Sequence, residues 1–320
     1  MGNTVINGEL MHMGGVPVTP LLLGLTYGDK YFLDPVNGND TNDGKSVDTA
    51  FKTMEVAEDA LTNNNNDILF YIGGSSGLNL TQQLVWDKSY THLVGISAPV
   101  GAGKRARIFM TSTVTSTPMI QITGSGCVFS NLYIFHGIAN AAALVCVEVT
   151  GGRNYFDNVH FAGIGNATQD AAGACSLKLN GAEENKFNNC QIGLDTQGTR
   201  GANSSEILCD GSAVRNEFVD CLIYAYISAA GHPLVKIADN AGLDRYLRFR
   251  NCTFLSESLN NGTAMTSAFS IPASMVTSYI ILDQCRAIGI TAWDSNSRGK
   301  LYADMVAPAA SAGGGLSTNL

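Results

Sequence analysis

The sequence predicts an all-β fold, a single-stranded parallel β-helix, from three observations: a constant repeat length, strand-like alternation inside each repeat, and no helical periodicity after residue 62. The repeat is clearest at 185–190, 216–221 and 247–252, which read NKFNNC, NEFVDC and LRFRNC. Their cysteines, at 190, 221 and 252, are spaced by 31 residues, and an earlier copy at 154–159 precedes the first by the same 31. A fixed period in this range is typical of a solenoid.

Each repeat contains two extended segments joined by a short polar link. The first alternates apolar and other residues and ends at a turn residue, as at 147–151 and 177–181. The second follows Asn or Asp, as at 189–192 and 251–254. Because no helix separates these strands, each coil is expected to pair with the next, about 4.8 Å away.

Alignment of the repeats stacks residues into columns. Three columns are apolar and are predicted to face the interior: Leu132, Val159, Cys190, Cys221, Cys252, Cys285; Ile134, Phe161, Ile192, Ile223, Phe254, Ala287; and Phe129, Phe156, Phe187, Phe218, Phe249, Leu282. A polar column is predicted to form an amide ladder at the bend between strands. Its members are Asn131, Asn158, Asn189, Asp220, Asn251 and Gln284.

Composition fits turn-rich β structure and limits the partners. Only 14% of the residues are charged, 35 are glycine, and the net charge of -8 argues against nucleic acid. A solenoid grows one coil at a time, so 320 residues do not require two domains.

Four of the eight cysteines share one column, and these four are predicted to be unpaired, buried thiols. The column spacing of about 4.8 Å exceeds the Cβ separation of roughly 3.5–4.5 Å that a disulfide needs. The protein is predicted to fold in a reducing cytoplasm. No cysteine or histidine spacing matches a zinc site, so neither a metal nor a cofactor is predicted.

Residues 1–30 are mostly apolar and follow neither period, and we interpret them as an extended docking arm rather than a frayed terminus. The residues expected to dock are Met11, Met13, Val16, Val18 and Leu21. No signal peptide is predicted, and the apolar run at 20–25 is too short to cross a membrane.

Residues 31–45 read YFLDPVNGNDTNDGK, followed by AFKT at 50–53 and a helix predicted from Thr49 to Leu61. This stretch resembles the opening motif of the pectate-lyase-like right-handed β-helix superfamily, and 68–74 and 92–95 match its first coil. The resemblance implies a right-handed β-helix whose first coil is preceded by a capping helix. The superfamily contains lyases, hydrolases, phage tailspikes and inert virion proteins, and the apolar arm makes the chain most similar to phage virion proteins.

The predicted organisation therefore has four parts: a docking arm at 1–30, an opening motif with a capping helix at 31–64, a parallel β-helix at 65–306, and a flexible tail at 307–320. Met54, Ala57 and Leu61 give the helix one apolar face, with which it would cover the exposed end of the solenoid.

Few residues have the pattern of a catalytic or metal site. The acidic loop from Asp34 to Gly44 lacks the ligand order of a calcium-binding EF-hand, so Asx turns are favoured there. Two outward rows are predicted: Tyr133, His160, Gln191, Leu222, Thr253, Arg286, and Gln121, Glu148, Lys178, Leu208, Lys236, Ser270. Glu148 is their only carboxylate and is expected to form a solvated pair with Lys178, so no catalytic residue is predicted. His160 is expected on the surface, with a sugar-stacking patch beside Tyr133 as the alternative.

An oligomer interface is predicted at Leu208, Leu222, Tyr224 and Tyr226, where apolar residues face outward. The resemblance implies a homotrimer. The predicted function is that of a non-enzymatic phage virion protein, a capsid decoration or cement protein that attaches to capsid or tail proteins through its arm. It would be assembled in the bacterial host cytoplasm. The alternatives are a tailspike that binds or depolymerises host surface glycan and, less favoured, a bacterial adhesin.

Overall fold

The computed structural model describes residues 28–110, 116–196, 200–239, 241–257, 264–276, 278–294 and 300–304, together with the backbone of three short strands before residue 18. The described residues contain one α-helix, α1 (Met54–Asp59), and one turn of 3₁₀-helix at Ala167–Gln169. The strands are β1 (Thr4–Ile6), β2 (Glu9–Met13), β3 (Val16–Pro17), β4 (Lys30–Leu33), β5 (Asp67–Ile72), β6 (Leu78–Asn79), β7 (Leu84–Trp86), β8 (Thr91–Ile96), β9 (Arg107–Met110), β10 (Ile120–Ile122), β11 (Val128–Ser130), β12 (Tyr133–His136), β13 (Val145–Val149), β14 (Tyr155–Asp157), β15 (His160–Ala162), β16 (Cys175–Asn180), β17 (Lys186–Asn188), β18 (Gln191–Leu194), β19 (Ser205–Asp210), β20 (Ala213–Val219), β21 (Leu222–Tyr226), β22 (Val235–Ile237), β23 (Leu243–Arg250), β24 (Thr253–Glu257), β25 (Met265–Ser270), β26 (Tyr279–Asp283), β27 (Arg286–Ile288), β28 (Ile290–Asp294) and β29 (Leu301–Ala303).

Strands β4 to β29 form three long sheets, and a complete coil contributes one strand to each of them. Sheet 1 has ten strands in the order β29-β26-β23-β20-β17-β14-β11-β8-β5-β4. Sheet 2 has eight, β27-β24-β21-β18-β15-β12-β9-β6, and sheet 3 has eight, β28-β25-β22-β19-β16-β13-β10-β7. Neighbouring strands run parallel from coil to coil. The predicted parallel β-helix is confirmed.

The apolar columns lie inside the solenoid in the predicted register. Phe156 pairs with Phe187, which pairs with Phe218, which pairs with Phe249. Their rings stack with centroid distances of 4.6, 4.5 and 4.8 Å, close to the distance between strands. Stacking therefore follows directly from the register of the sheet.

The cysteine column has one hydrogen-bond pattern that recurs in every coil. The thiol of Cys221 donates to the carbonyls of Phe187 and Val219, at 3.4 and 3.2 Å, and Cys190, Cys252 and Cys285 make the equivalent contacts. All eight cysteines are buried and free, which confirms the prediction made from the column spacing for the four stacked ones. They act as small apolar residues with a weak donor.

The amide ladder also lies where it was predicted. Its members have a left-handed backbone, with φ of 56, 52, 50, 55, 51 and 55° at Asn131, Asn158, Asn189, Asp220, Asn251 and Gln284. Asn tolerates this conformation better than most residues do. Asn158 donates from Nδ2 to Oδ1 of Asn131 at 3.1 Å, and Asn251 donates to Oδ1 of Asp220 at 2.6 Å.

A second asparagine ladder, which was not predicted, is fully buried. Oδ1 of Asn185 accepts the backbone N–H of Asn154 at 2.9 Å, and Oδ1 of Asn216 accepts that of Asn185 at 3.0 Å. The Nδ2 groups of all three donate to carbonyls of the preceding coil at 3.0, 3.1 and 2.8 Å. These side chains hydrogen-bond backbone groups that the sheets leave unpaired where the chain turns.

The capping helix is shorter than predicted. It covers Met54–Asp59 rather than Thr49 to Leu61, because Oδ1 of Asp40 accepts the backbone N–H groups of Lys52 and Thr53 at 2.8 and 2.9 Å. Phe51 pairs with Leu33 as an extra bridge beside β4. The apolar face is as predicted: Met54, Ala57 and Leu61 are buried in the same core as the coils.

The arm forms a sheet of its own, in which β2 pairs antiparallel with both β1 and β3. Val18, Leu21 and the tail at 307–320 lie outside the described residues. In the part of the chain that the structure describes, no helix has the length and apolarity needed to cross a membrane.

Candidate functional site

The outward row of sheet 3 carries a charged group, which we call the surface cluster: Glu148, Lys178 and Asp210. Nζ of Lys178 lies 3.2 Å from Oε1 of Glu148 and 3.2 Å from Oδ2 of Asp210. Asp210 joins the cluster because its strand, β19, lies next to β16, the strand of Lys178. The pair of Glu148 and Lys178 was expected to be solvated, but their side chains are only 10% and 19% exposed.

The surface cluster has the geometry of an ion-pair network. Glu148 also accepts hydrogen bonds from Gln121 and Asn180, both at 3.1 Å. Burial lowers the pKa of Lys178, but hydrogen bonds to Glu148 and Asp210 outweigh it and the pKa is raised. A protonated lysine between two carboxylates binds both of them, whereas a glycosidase needs one carboxyl group that carries a proton to the leaving oxygen.

In the outward row of sheet 2, neighbouring residues of the chain cover the side chain of His160. Tyr133, His160, Gln191 and Leu222 pair in this order on successive coils, as predicted. His160 is buried, however, with Nε2 2.9 Å from the carbonyl of Gly193 and 3.2 Å from the hydroxyl of Tyr224. Burial lowers its pKa to about 4. Both predictions for His160, a surface residue and a sugar-stacking residue, are therefore wrong.

The predicted oligomer residues do not share one exposed face within the chain. Leu208 lies on sheet 3, whereas Leu222, Tyr224 and Tyr226 lie on β21 of sheet 2. Leu208 and Tyr224 are buried in the single chain, and Leu222 and Tyr226 are half-buried. The trimer interface stays a prediction.

The acidic loop at 34–44 is built from Asx turns. Oδ1 of Asp34 accepts the backbone N–H groups of Val36 and Asn37 at 2.9 and 3.0 Å, and Asn37 donates from its side chain to Oδ2. Partial burial raises the pKa of Asp34, but these hydrogen bonds outweigh it and the pKa is lowered. Among the described residues no three His, Cys, Asp or Glu side chains are placed to hold a metal ion.

A second polar group, missed from the sequence, lies where the chain passes from sheet 2 to sheet 3. We call it the buried cluster: Ser176, Arg200, Ser204, Glu206 and His232, which are buried, and Asp170, which is half-buried at its edge. Oε1 of Glu206 lies 3.0 Å from Nε of Arg200 and 3.7 Å from Nε2 of His232, and Oε2 accepts a hydrogen bond from Ser176 at 2.5 Å. Nδ1 of His232 lies 3.3 Å from Oγ of Ser204.

The order Ser204, His232, Glu206 contains the residue types of a hydrolytic triad, but the surroundings give it a different role. All three side chains are inaccessible to solvent, and the hydroxyl of Ser204 is donated to Asp170. Burial, with Arg200 nearby, lowers the pKa of His232 to about 3, so the ring is neutral. Burial raises the pKa of Glu206, which Arg200 partly offsets. The group ties loops of three successive coils together.

A sequence signal for the buried cluster does exist. Asp170, Gly201 and His232 are separated by 31 residues at each step, the repeat length itself. Gly201 donates its backbone N–H to Asp170, and its carbonyl lies 3.1 Å from Nδ1 of His232. The period therefore extends into loops that have no strand pattern.

Comparisons with solved structures agree with this architecture. Pectate lyase Pel9A aligns with a TM-score of 0.52 at 15% identity, over 88% of this chain and 80% of its own. Pectin methylesterase PemA from Erwinia chrysanthemi aligns at 0.53 and 14%, over 87% and 90%. The pectin methylesterase from Aspergillus niger aligns at 0.57 and 13%, over 87% and 84%. The fold is thus that of the pectate-lyase-like right-handed parallel β-helices, as the opening motif implied.

At sequence identities of 13–15%, the likeness to these enzymes shows a shared fold and nothing more. ORF18 of Geobacillus virus E2 also aligns, at a TM-score of 0.39 and 12% identity over 79% of this chain and 56% of its own, which is too low to carry an argument. No protein-family model matches the sequence. No curated protein matches it in sequence either.

Proposed function

We propose that the chain is a structural protein of a phage virion, a homotrimeric β-helix that decorates or cements the capsid and is fixed to it by the N-terminal arm. The observation that carries this proposal is the arm sheet. Strands β1–β3 pair with one another and with none of the described strands of the solenoid. The arm backbone is therefore hydrogen-bonded within the arm, which makes the arm a separate element that a partner can bind.

An apolar groove beside the start of β4 supports attachment at the same end. Its volume is about 490 Å³, and it is lined by Lys30 and by five apolar residues, Phe32, Val47, Phe70, Ile72 and Ile96. Val47 and Ile96 are 57% and 48% exposed. Contiguous exposed apolar surface of this kind marks a binding site for another protein. Because the arm joins the solenoid at β4, both features can face the same capsid partner.

The charged outward residues support a non-enzymatic role. In the surface cluster both carboxylates share the ammonium group of Lys178. The rival function, a tailspike that binds or depolymerises glycan, is favoured by the fold of the pectin enzymes and would use this same cluster. Incubation with host capsule or lipopolysaccharide separates the two. Glycan shortening that is lost in Glu148→Gln would replace the structural proposal.

Removal of residues 1–27 tests the arm. Gly28 is kept because its backbone packs against Asn66, where an added Cβ would lie 2.2 Å from the carbonyl carbon. The truncated chain is expected to stay folded with little change in Tm, because the capping helix and the coils are intact, and to lose attachment to phage particles in a sedimentation assay. Attachment equal to that of the full chain would refute the proposal.

A pair of point variants tests the groove. Ile96→Asp places a charge in the groove and is expected to weaken attachment at least tenfold with a small change in stability. Val276→Asp, at a side chain that is 68% exposed and far along the chain, is the matched control and should attach normally. Equal attachment of both variants would show that the groove is not part of the interface.

Light scattering of the full chain tests the trimer. It should give the mass of three chains, and the mass of one chain would refute the trimer.

A further inference from the structure

Three tyrosines project from successive coils of sheet 1 near the C-terminal end of the solenoid. Tyr246, Tyr279 and Tyr302 are 36%, 43% and 55% exposed. Tyr246 pairs in register with Tyr279, and the rings of Tyr279 and Tyr302 lie 5.7 Å apart at 62°. Three neighbouring exposed aromatic side chains form an apolar patch. A contiguous patch of this kind indicates a binding site, whereas exposed apolar residues scattered singly over a surface do not.

The tyrosines adjoin a cavity of about 590 Å³. Its lining includes Tyr246 and Tyr302 together with Arg248, Asp283 and Asp304. This volume lies in the range of small-ligand sites, which combine apolar walls with a few convergent polar groups. Tyr279 borders the cavity through its contact with Tyr302. We call these six residues the tyrosine groove.

The polar groups of the groove are held in place and keep hydrogen-bonding capacity. Arg248 donates from Nη2 to Oδ2 of Asp283 at 2.9 Å and also lies 3.6 Å from Glu217. Its Nε is buried without an acceptor among the described residues. Asp304 accepts the backbone N–H of Gln284 at 3.0 Å. Planar guanidinium and carboxylate groups fixed in this way can each bind two adjacent hydroxyl groups.

The chemistry of the groove matches a sugar. The carbon-bound hydrogens on one face of a pyranose carry partial positive charge and pack on the negative face of an aromatic ring. The hydroxyl groups at the ring edge can meet Arg248, Asp283 and Asp304. The lining has one cation and two carboxylates, and Nζ of Lys300 lies 5.0 Å from the centroid of the Tyr279 ring. These two cations and two carboxylates balance, so the groove has no net charge that would attract an acidic sugar or a phosphate. The spacing of the coils, about 4.8 Å, allows successive sugar units to contact successive tyrosines.

We propose that the tyrosine groove binds a neutral oligosaccharide. This binding site is additional to the structural role, because a scaffold needs no ligand. It also lies on sheet 1, whereas the surface cluster lies on sheet 3, so binding here does not depend on that cluster.

The full chain is tested by calorimetric titration against neutral glucose and N-acetylglucosamine hexamers, with a galacturonate hexamer as the acidic comparison. At least one neutral hexamer is expected to bind, with an affinity more than tenfold above that for the galacturonate. Tyr279→Ala and Tyr302→Ala should each weaken binding at least fivefold, whereas Tyr302→Phe should keep it within twofold because the ring remains. Tyr90→Ala is the matched control, since Tyr90 is 50% exposed at the other end of the solenoid.

Three outcomes would overturn the proposal: no binding of any neutral hexamer, tighter binding of the acidic one, or equal binding by wild type and the two alanine variants. Circular dichroism of each variant separates lost binding from lost folding. The arm-deleted chain should bind the hexamer normally, so a failure of the virion proposal would leave this result intact.

Discussion

Strand β19 carries two carboxylates, Glu206 and Asp210, four residues apart and in very different surroundings. Glu206 belongs to the buried cluster and is inaccessible to solvent, with Arg200 as its partner. Asp210 belongs to the surface cluster, and its side chain is 38% exposed beside Lys178. The two ion pairs have nearly equal lengths, 3.0 and 3.2 Å.

The comparison shows that burial, rather than the length of an ion pair, sets its energetic importance. Moving a charged side chain out of water costs several kcal/mol. The folded state is therefore strongly destabilised when one partner of a buried ion pair is removed. At the surface, water and salt screen the attraction, and an exposed pair contributes about 0–1 kcal/mol. Loops that cover one end of β19 therefore create the difference between two otherwise similar contacts.

Glu206→Gln is expected to have the largest effect, a loss of about 3–5 kcal/mol in the free energy of unfolding, because Arg200 is left buried without a counter-charge. Asp210→Asn on the same strand is the matched control and should lose less than about 1 kcal/mol. Urea denaturation measures both. The double variant Arg200→Met with Glu206→Met should recover much of the loss, since no buried charge remains. Equal losses in the two single variants would break the comparison.

Acid should destabilise the buried cluster through His232. Its pKa is lowered from 6.5 to about 3, so between these values the unfolded chain binds a proton here and the folded chain does not. Stability that is present above pH 6.5 is therefore lost as the pH falls. At pH 5 the loss from this residue is about 2 kcal/mol, because each unit corresponds to about 1.4 kcal/mol.

The measurement compares wild type with His232→Gln between pH 7 and pH 5. The variant should lose about 2 kcal/mol less over this range. Burial of His92 and His136 lowers their pKa values too, and this contribution is common to both proteins and cancels. The raised pKa of Glu206 acts in the opposite sense, since the folded chain then binds the proton more readily as the pH falls. Identical pH profiles would show that His232 is not the sensor.

Lys178→Met should have a much smaller effect than Glu206→Gln, a loss of about 1 kcal/mol. Glu148 keeps its hydrogen bonds from Gln121 and Asn180, and Asp210, which is 38% exposed, can be hydrated. Raising the salt concentration from 0.1 to 1 M should reduce the difference from wild type, since the screening length falls to about 3 Å. The loss from Glu206→Gln should change little with salt. A salt-independent loss in Lys178→Met would place the surface cluster in the same class as the buried one.

The interior of the solenoid could be predicted from the sequence because a fixed repeat determines the register. Once Cys190 and Cys221 are aligned, the strand residues on either side of them are also in register, including Phe187 beside Phe218. The position of the bend could also be predicted, because Asn131 and Asn158 adopt the left-handed backbone conformation that the bend requires. The period therefore predicted the core, the bend and the free thiols together.

The surroundings of the outward residues could not be predicted, because loops without a strand or helix pattern decide what covers them. His160 was placed correctly in its row, but nothing in the pattern indicated that Tyr224 and the carbonyl of Gly193 would enclose it. Arg200 and Glu206 meet through a loop whose conformation has no strand or helix signal. The helix was overestimated for a similar reason, since Asp40 binds the backbone of residues 52 and 53 from a distant turn.

The stride of 31 residues that the coils share between Asn158 and Asn251 makes the length of the molecule adjustable. Residues 185–190 and 216–221 present the same Asn, Phe and Cys to their neighbours, so either coil can follow the other. In a solenoid each coil contacts only the adjacent ones, and duplication of residues 190–220 would add one rung of about 4.8 Å without disturbing the rest. A series of such chains, each longer by one rung, would serve as a molecular ruler.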